Sequence, residues 1–115
     1  MKKILSLTML CTLISFAQAQ EVTKAAAQLE PKSGSKVTGI VTFTKVGDDV
    51  QVVADIQNLT PGKHGFHIHD KGDCSAPDAS SAGAHFNPTM KHHGGPNTLD
   101  HHAGDLGNIE ADASG

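Results

Sequence analysis

An all-β fold is what this sequence predicts, and three observations carry the prediction. Residues 36 to 46, KVTGIVTFTKV, alternate β-branched with small or polar side chains at the period of two that a strand shows. Residues 50 to 59, VQVVADIQNL, resume that pattern after the turn residues Gly47-Asp48-Asp49, so the two runs read as a hairpin. No stretch of the chain after its leader commits to a helix.

The elements follow in order along the 115 residues. The chain opens on Lys2 and Lys3, then a mostly apolar run from Ile4 to Phe16, then Ala17-Gln-Ala19. These are the three parts of a secretory signal peptide, and the apolar run is too short to span a bilayer. We therefore expect residues 1–19 to be a signal peptide and 20–115 to form one domain in a periplasmic or secreted protein, with no membrane association after cleavage. Cleavage removes two lysines, which moves the formal charge from −3 to −5. It also removes Cys11 and leaves Cys74 as the one cysteine. Arginine is absent, and no basic stripe exists, which argues against nucleic acid as a partner. Tryptophan and tyrosine are absent too, so the core must rest on Val, Ile, Leu and Ala. A domain this small gains from a metal or a disulfide.

Residues 20 to 35 are mixed, and Ala25 to Leu29 reads as either helix or strand. After the hairpin, TPGK at 60 to 63 is a turn and HGFHIHD at 64 to 70 is the next strand. Strand alternation puts Phe66 and Ile68 on one face and His67 and His69 on the other, their roots ~7 Å apart, so both rings can lean onto one metal ion. His64 falls by parity on the apolar side, as a packing or supporting residue. Residues 70 to 105 hold eight glycines or prolines and little periodicity. A structureless stretch of that length is usually functional or disordered, and its histidines favour function. It carries His85, His92, His93, His101, His102 and Asp105. Imidazole suits zinc and copper, and three histidines with one aspartate can close a tetrahedral zinc site. DLGNIEADASG, from 105 to 115, reads as a short strand running into a turn.

Several ordered motifs then carry a resemblance: His64-Gly-Phe-His-Ile-His69, Gly72-Asp-Cys74, Ser81-Ala-Gly-Ala-His-Phe-Asn-Pro88, His93-Gly-Gly-Pro96 and His102-Ala-Gly-Asp-Leu-Gly-Asn108. Over roughly residues 24 to 115 the chain resembles the copper/zinc superoxide dismutases, in particular their secreted bacterial form. The resemblance implies a Greek-key β-barrel or sandwich of that type, incomplete here, with about five of eight strands and a long metal-binding loop. It implies copper and zinc as cofactors and superoxide as the small-molecule substrate, converted to oxygen and hydrogen peroxide, and it admits a homodimer. By the same resemblance His67, His69 and His85 are copper ligands and carry the catalysis. His85 bridges to zinc, which His93, His102 and Asp105 complete. Cys74 matches the loop cysteine normally disulfide-bonded to the barrel, its partner absent here. His92 and His101 match no family role and are expected at exposed or supporting positions.

The family pattern continues beyond residue 115, with a fourth copper histidine, the cysteine partner, an arginine and the closing strands. The chain therefore reads as a C-terminally truncated dismutase, with Lys71 or Lys91 as partial substitutes for the arginine. Two readings follow: a dismutase by descent with reduced or absent activity alone, or a secreted copper/zinc-binding protein without turnover. Zinc is expected to bind better than copper, whose ligand set lacks a member, and His67→Ala is expected to spare zinc.

Overall fold

A computed structural model describes residues 20–115; the leader assigned to residues 1–19 lies outside them. Five strands form two antiparallel sheets. β1 (Lys24–Leu29), β2 (Thr38–Val46) and β3 (Asp49–Gln57) make a three-stranded meander. β4 (Gly62–His67) and β5 (Asp105–Ala111) make a two-stranded sheet, and a short 3-10 turn at Ser80–Ala82 interrupts the loop between them. This all-β arrangement is consistent with an incomplete barrel of the type expected. Among the described residues no helix is long and apolar enough to cross a membrane.

The β2–β3 hairpin forms as its alternation predicts. Val46 pairs with Asp49 across a two-residue loop whose first member, Gly47, has a φ of 63°, a left-handed conformation that glycine adopts without steric cost. The ambiguous Ala25–Leu29 stretch is strand. Alanines favour a helix in isolation, but β2 offers a row of unpaired backbone groups, and the ladder from Lys24↔Thr44 to Leu29↔Gly39 satisfies them. The register sorts the side chains. Val41 lies between Ala27 and Ala54, and Phe43 between Ala25 and Val52, which makes one apolar face. Thr42 lies between Ala26 and Val53, and Thr44 between Lys24 and Gln51, on the more polar face. Even so, only Val41 of this sheet is buried, at 2% exposure, while Val50 stays 60% exposed on the same apolar face. Leu29, Val37, Ile56, Phe66 and Ile109 line an open cleft between the sheets.

β4 differs from the sequence expectation at both ends. Gly62 and Lys63, expected in a turn, pair with Ala111 and Glu110. The strand stops at His67 rather than running to Asp70, because His67 pairs with Asp105, the first residue of β5, and the register with β5 shifts just before it, between Gly65 and His67. A shift of this kind breaks simple alternation. Phe66 and His67 are both half-buried, and Ile68 and His69 are both exposed, so burial does not alternate along 64–70, although the rings of His67 and His69 both reach His85. His64 sits apart from the other rings, its Nε2 2.7 Å from the Thr60 carbonyl oxygen, where it supports the turn into β4.

Candidate metal centre

Three backbone segments meet where the loop begins, passes and ends. The Ile68 N–H donates to the Gly104 carbonyl, the Gly104 N–H to the Phe86 carbonyl, and the Phe86 N–H to the Ile68 carbonyl, each at 2.8 Å. This closed triangle fixes three short pieces of chain against one another. The residues flanking its corners are His67 and His69, His85, and Asp105. Gly104 has to be glycine here, since a Cβ would collide with the Ile68 carbonyl and crowd Phe86. The loop is therefore ordered by polar contacts. Outside the triangle, the Asp70 N–H donates to the Ala84 carbonyl at 2.9 Å, and the Asn87 side chain brackets Lys91 through two hydrogen bonds.

Asp105 is the centre of the site. It is 2% exposed, the one buried charged residue among those described. Its Oδ1 lies 2.8 Å from His85 Nδ1 and 3.4 Å from His102 Nδ1, and its Oδ2 lies 3.0 Å from His93 Nδ1. The backbone N–H groups of Gly94 and His102 also donate to Oδ2, at 3.1 and 3.0 Å. Burial alone would raise the Asp105 pKa, but those N–H groups and the His85 ring outweigh it and hold the carboxyl well below the usual range. Gly94 reaches the carboxylate because it has no Cβ to meet the Asp100 carbonyl and the Thr98 hydroxyl.

The other rings pack around this carboxylate. His67 stacks on His85, with centroids 4.0 Å apart and planes 21° apart. Burial, then the neighbouring His85, lowers the His67 pKa and favours the neutral imidazole that a metal needs. His67, His85, His93 and Asp105 each offer a donor atom, all within 4.8 Å of one another. His102 Nδ1 is buried and has no hydrogen-bond partner, the one such side-chain atom among the described residues. An orphaned buried nitrogen beside a carboxylate and two further imidazoles fits a zinc-type donor set. His69 stands at the margin. Its ring meets His85 edge-on at 5.2 Å, its Nδ1 lies 2.8 Å from the Gly83 carbonyl oxygen, and an isolated bridge joins its backbone to His85. His92 and His101 stay outside the cluster; the His101 Nδ1 lies 2.7 Å from the Thr98 carbonyl oxygen. Cys74 is free and exposed. Gly65, Gly94 and Gly104, which shape the site, stand in or beside the quoted motifs, but their role depends on close approaches that sequence spacing does not show.

The family model of copper/zinc superoxide dismutase matches residues 37–115. The chain belongs to the copper/zinc superoxide dismutase family. An extracellular superoxide dismutase of Drosophila melanogaster is 42% identical over 118 residues, covering 97% of this chain and 65% of that protein. One of Haemonchus contortus is 44% identical, covering 84% of this chain and 55% of the relative. A copper chaperone for superoxide dismutase from Rattus norvegicus is 45% identical over 92 residues, covering 79% of this chain and 33% of the chaperone. The crystal structure of the clock protein EA4 is similar with a TM-score of 0.71 and 44% identity, over 80% of this chain and 57% of that one. The chain thus spans less than two thirds of each of these relatives. All three named relatives are animal proteins, so they support the superoxide dismutase family rather than its bacterial branch.

Proposed function

We propose that this chain is the metal-binding part of an exported copper/zinc superoxide dismutase, which converts two superoxide ions and two protons to oxygen and hydrogen peroxide. The single observation that carries the reading is the buried Asp105 carboxylate, on which the Nδ1 atoms of His85, His93 and His102 converge. In this proposal His85, His93, His102 and Asp105 hold zinc, and His67, His69 and His85 hold copper. Copper supplies one-electron redox chemistry and zinc, which has none, supplies a fixed charge.

The chain's own residues do the rest. Asp105, kept ionised by two backbone N–H groups, orients the His85 ring through Nδ1 and leaves Nε2 as the nitrogen at which a proton can be held. The hydrogen bond from His69 to the Gly83 carbonyl places the proton on Nδ1 and leaves Nε2 as its donor atom. Lys71 is the better candidate to attract an anion, since the Lys91 ammonium is tied to the Leu99 carbonyl at 3.3 Å. The names of the Drosophila and Haemonchus relatives support export, here through the leader at residues 1–19. A homodimer is part of the proposal, tested by sedimentation.

The decisive experiment loads the chain with copper and zinc and follows superoxide consumption. Turnover that persists in a chelator that silences free copper supports the reading; tight metal binding with no turnover overturns it. That second outcome is the alternative reading, a secreted copper/zinc-binding protein, and the similarity to a copper chaperone favours keeping it in view.

A further inference from the structure

The loop carries two histidine doublets, and each is split. The rings of His93 and His102 belong to the cluster around Asp105, with centroids 5.6 Å apart. Neighbouring side chains of an open chain diverge, so their partners His92 and His101 are turned away from it. Three contacts hold the two outer residues' stretches side by side. The His92 N–H donates to Asp100 Oδ1 at 3.2 Å, and the Lys91 ammonium donates to the Leu99 carbonyl at 3.3 Å. Gly94 lies so close to the Asp100 carbonyl and the Thr98 hydroxyl that a Cβ would collide with both. The His101 Nδ1–H donates to the Thr98 carbonyl at 2.7 Å, which leaves Nε2 as a free donor atom. Met90 stands beside this pair. It is 92% exposed, so its thioether packs against nothing. Its φ of 52° is a left-handed conformation that a long side chain rarely adopts. Asn87 holds it there, accepting the Met90 N–H at 3.3 Å and bonding both backbone groups of Lys91 through its side chain. One residue separates Met90 from His92, so the two side chains root within ~7 Å of each other.

We propose that Met90 Sδ, a His92 ring nitrogen and His101 Nε2 form an outer site that takes up copper(I) from solution. The site uses none of the residues clustered around Asp105 and leaves their roles untouched. A thioether is a soft donor that selects copper(I), and imidazole serves copper as well. Zinc is held by thiolate, imidazole and carboxylate, so a thioether adds little for it. All three donors are neutral once the imidazoles are unprotonated, which suits a singly charged ion. The position fits capture of an incoming ion. His93, one residue beyond His92, is the most open of the histidines on Asp105, with 59% of its side chain exposed against 26% for His85 and 18% for His102. Copper held by the outer set therefore waits on the solvent side of the cluster.

The test titrates copper(I), without oxygen and against a chromogenic copper(I) chelator, into the zinc-loaded full chain and into its Met90→Leu variant and its doubly substituted His92→Gln, His101→Gln variant. In the parent the methyl resonance of Met90, assigned by its loss in Met90→Leu, should shift with copper(I) and stay unmoved by zinc alone. Each variant is expected to hold one copper(I) fewer than the parent at the same chelator strength. The affinity of the outer site should fall at least about 10-fold, since even a supporting residue of a metal site costs that much. Zinc affinity should stay within about 3-fold of the parent, because no residue of the cluster is changed. A Met90 methyl signal unmoved by excess copper(I), or parent-like copper(I) uptake in either variant, overturns the inference and leaves the metal centre standing. A loss of copper(I) uptake matched by an equal loss of zinc affinity marks a disturbed loop and overturns it too.

Discussion

The three-stranded sheet and the metal-binding segment are ordered by opposite means. In β1–β2–β3 every strand is regular, the ladders are continuous, and yet one side chain, Val41, is buried. From Ile68 to Asp105 there is almost no repetitive structure, but Gly104 and Asp105 are buried and a carboxylate collects two backbone donors and three imidazoles. In this chain, which spans less than two thirds of its named relatives, regular hydrogen bonding does not by itself mark the better-protected region. A ladder whose faces are open lacks the apolar burial that usually stabilises a sheet. The loop is held by a few polar contacts that are costly to break, because each leaves a buried group unpaired.

The sharpest way to break that contrast is Asp105→Ala. It should cost zinc affinity by on the order of 1,000-fold or more, since it removes a ligand and the acceptor that positions the others. Hydrogen exchange should then show residues 84–104 unprotected while β2 and β3 are unchanged. Gly104→Ala comes next: its Cβ forces the Ile68 and Phe86 segments apart, and zinc affinity should fall roughly 10- to 100-fold with every donor still present. On the other side of the comparison, Val41→Ala should destabilise the sheet by about 2 kcal/mol, read from urea unfolding of the metal-free chain, and leave zinc affinity within about 3-fold. Equal loss of zinc binding in Val41→Ala would show that the regions are one cooperative unit.

Acid separates the regions more gently. The Asp105 pKa is lowered on folding, so its contribution is full above its ordinary value of ~4 and is lost as pH falls through the lowered one. His67, also lowered, adds a loss that begins below about 6.5, where the unfolded chain takes up a proton that the folded site resists. Between pH 7 and 4, histidine-ring signals of the site should therefore broaden before the amides of β2 do. The smallest effect belongs to the exposed ion pair of Lys45 with Glu21, where Lys45→Ala should change stability by about 0.5 kcal/mol or less in a thermal melt.

Much of this was legible in the sequence, for identifiable reasons. The β2–β3 hairpin depends on local alternation and a glycine turn, and both are written in eleven- and ten-residue runs. The donors of the site are chemically conspicuous, and motifs brought His85, His93, His102 and Asp105 forward together. β1 was ambiguous because alanine carries no period and its state is decided by the edge of β2. The end of β4, and with it the placing of His67 against Asp105, could not be read, because a register shift is a property of two strands and not of one.

The triangle joining Ile68, Phe86 and Gly104 has a consequence for how this chain tolerates change. Both intervening stretches begin and end on it, and the first carries no donor of the site between His69 and His85, so its length does not set the spacing of the donors. Closing a longer excursion costs little, about 0.6 kcal/mol for each doubling of its length. Residues 71–75 are all exposed on that first excursion. Extra residues or a reporter peptide spliced in beside Gly72 would hang outside, while the imidazoles and the carboxylate kept their places. The architecture is modular at the level of a single loop.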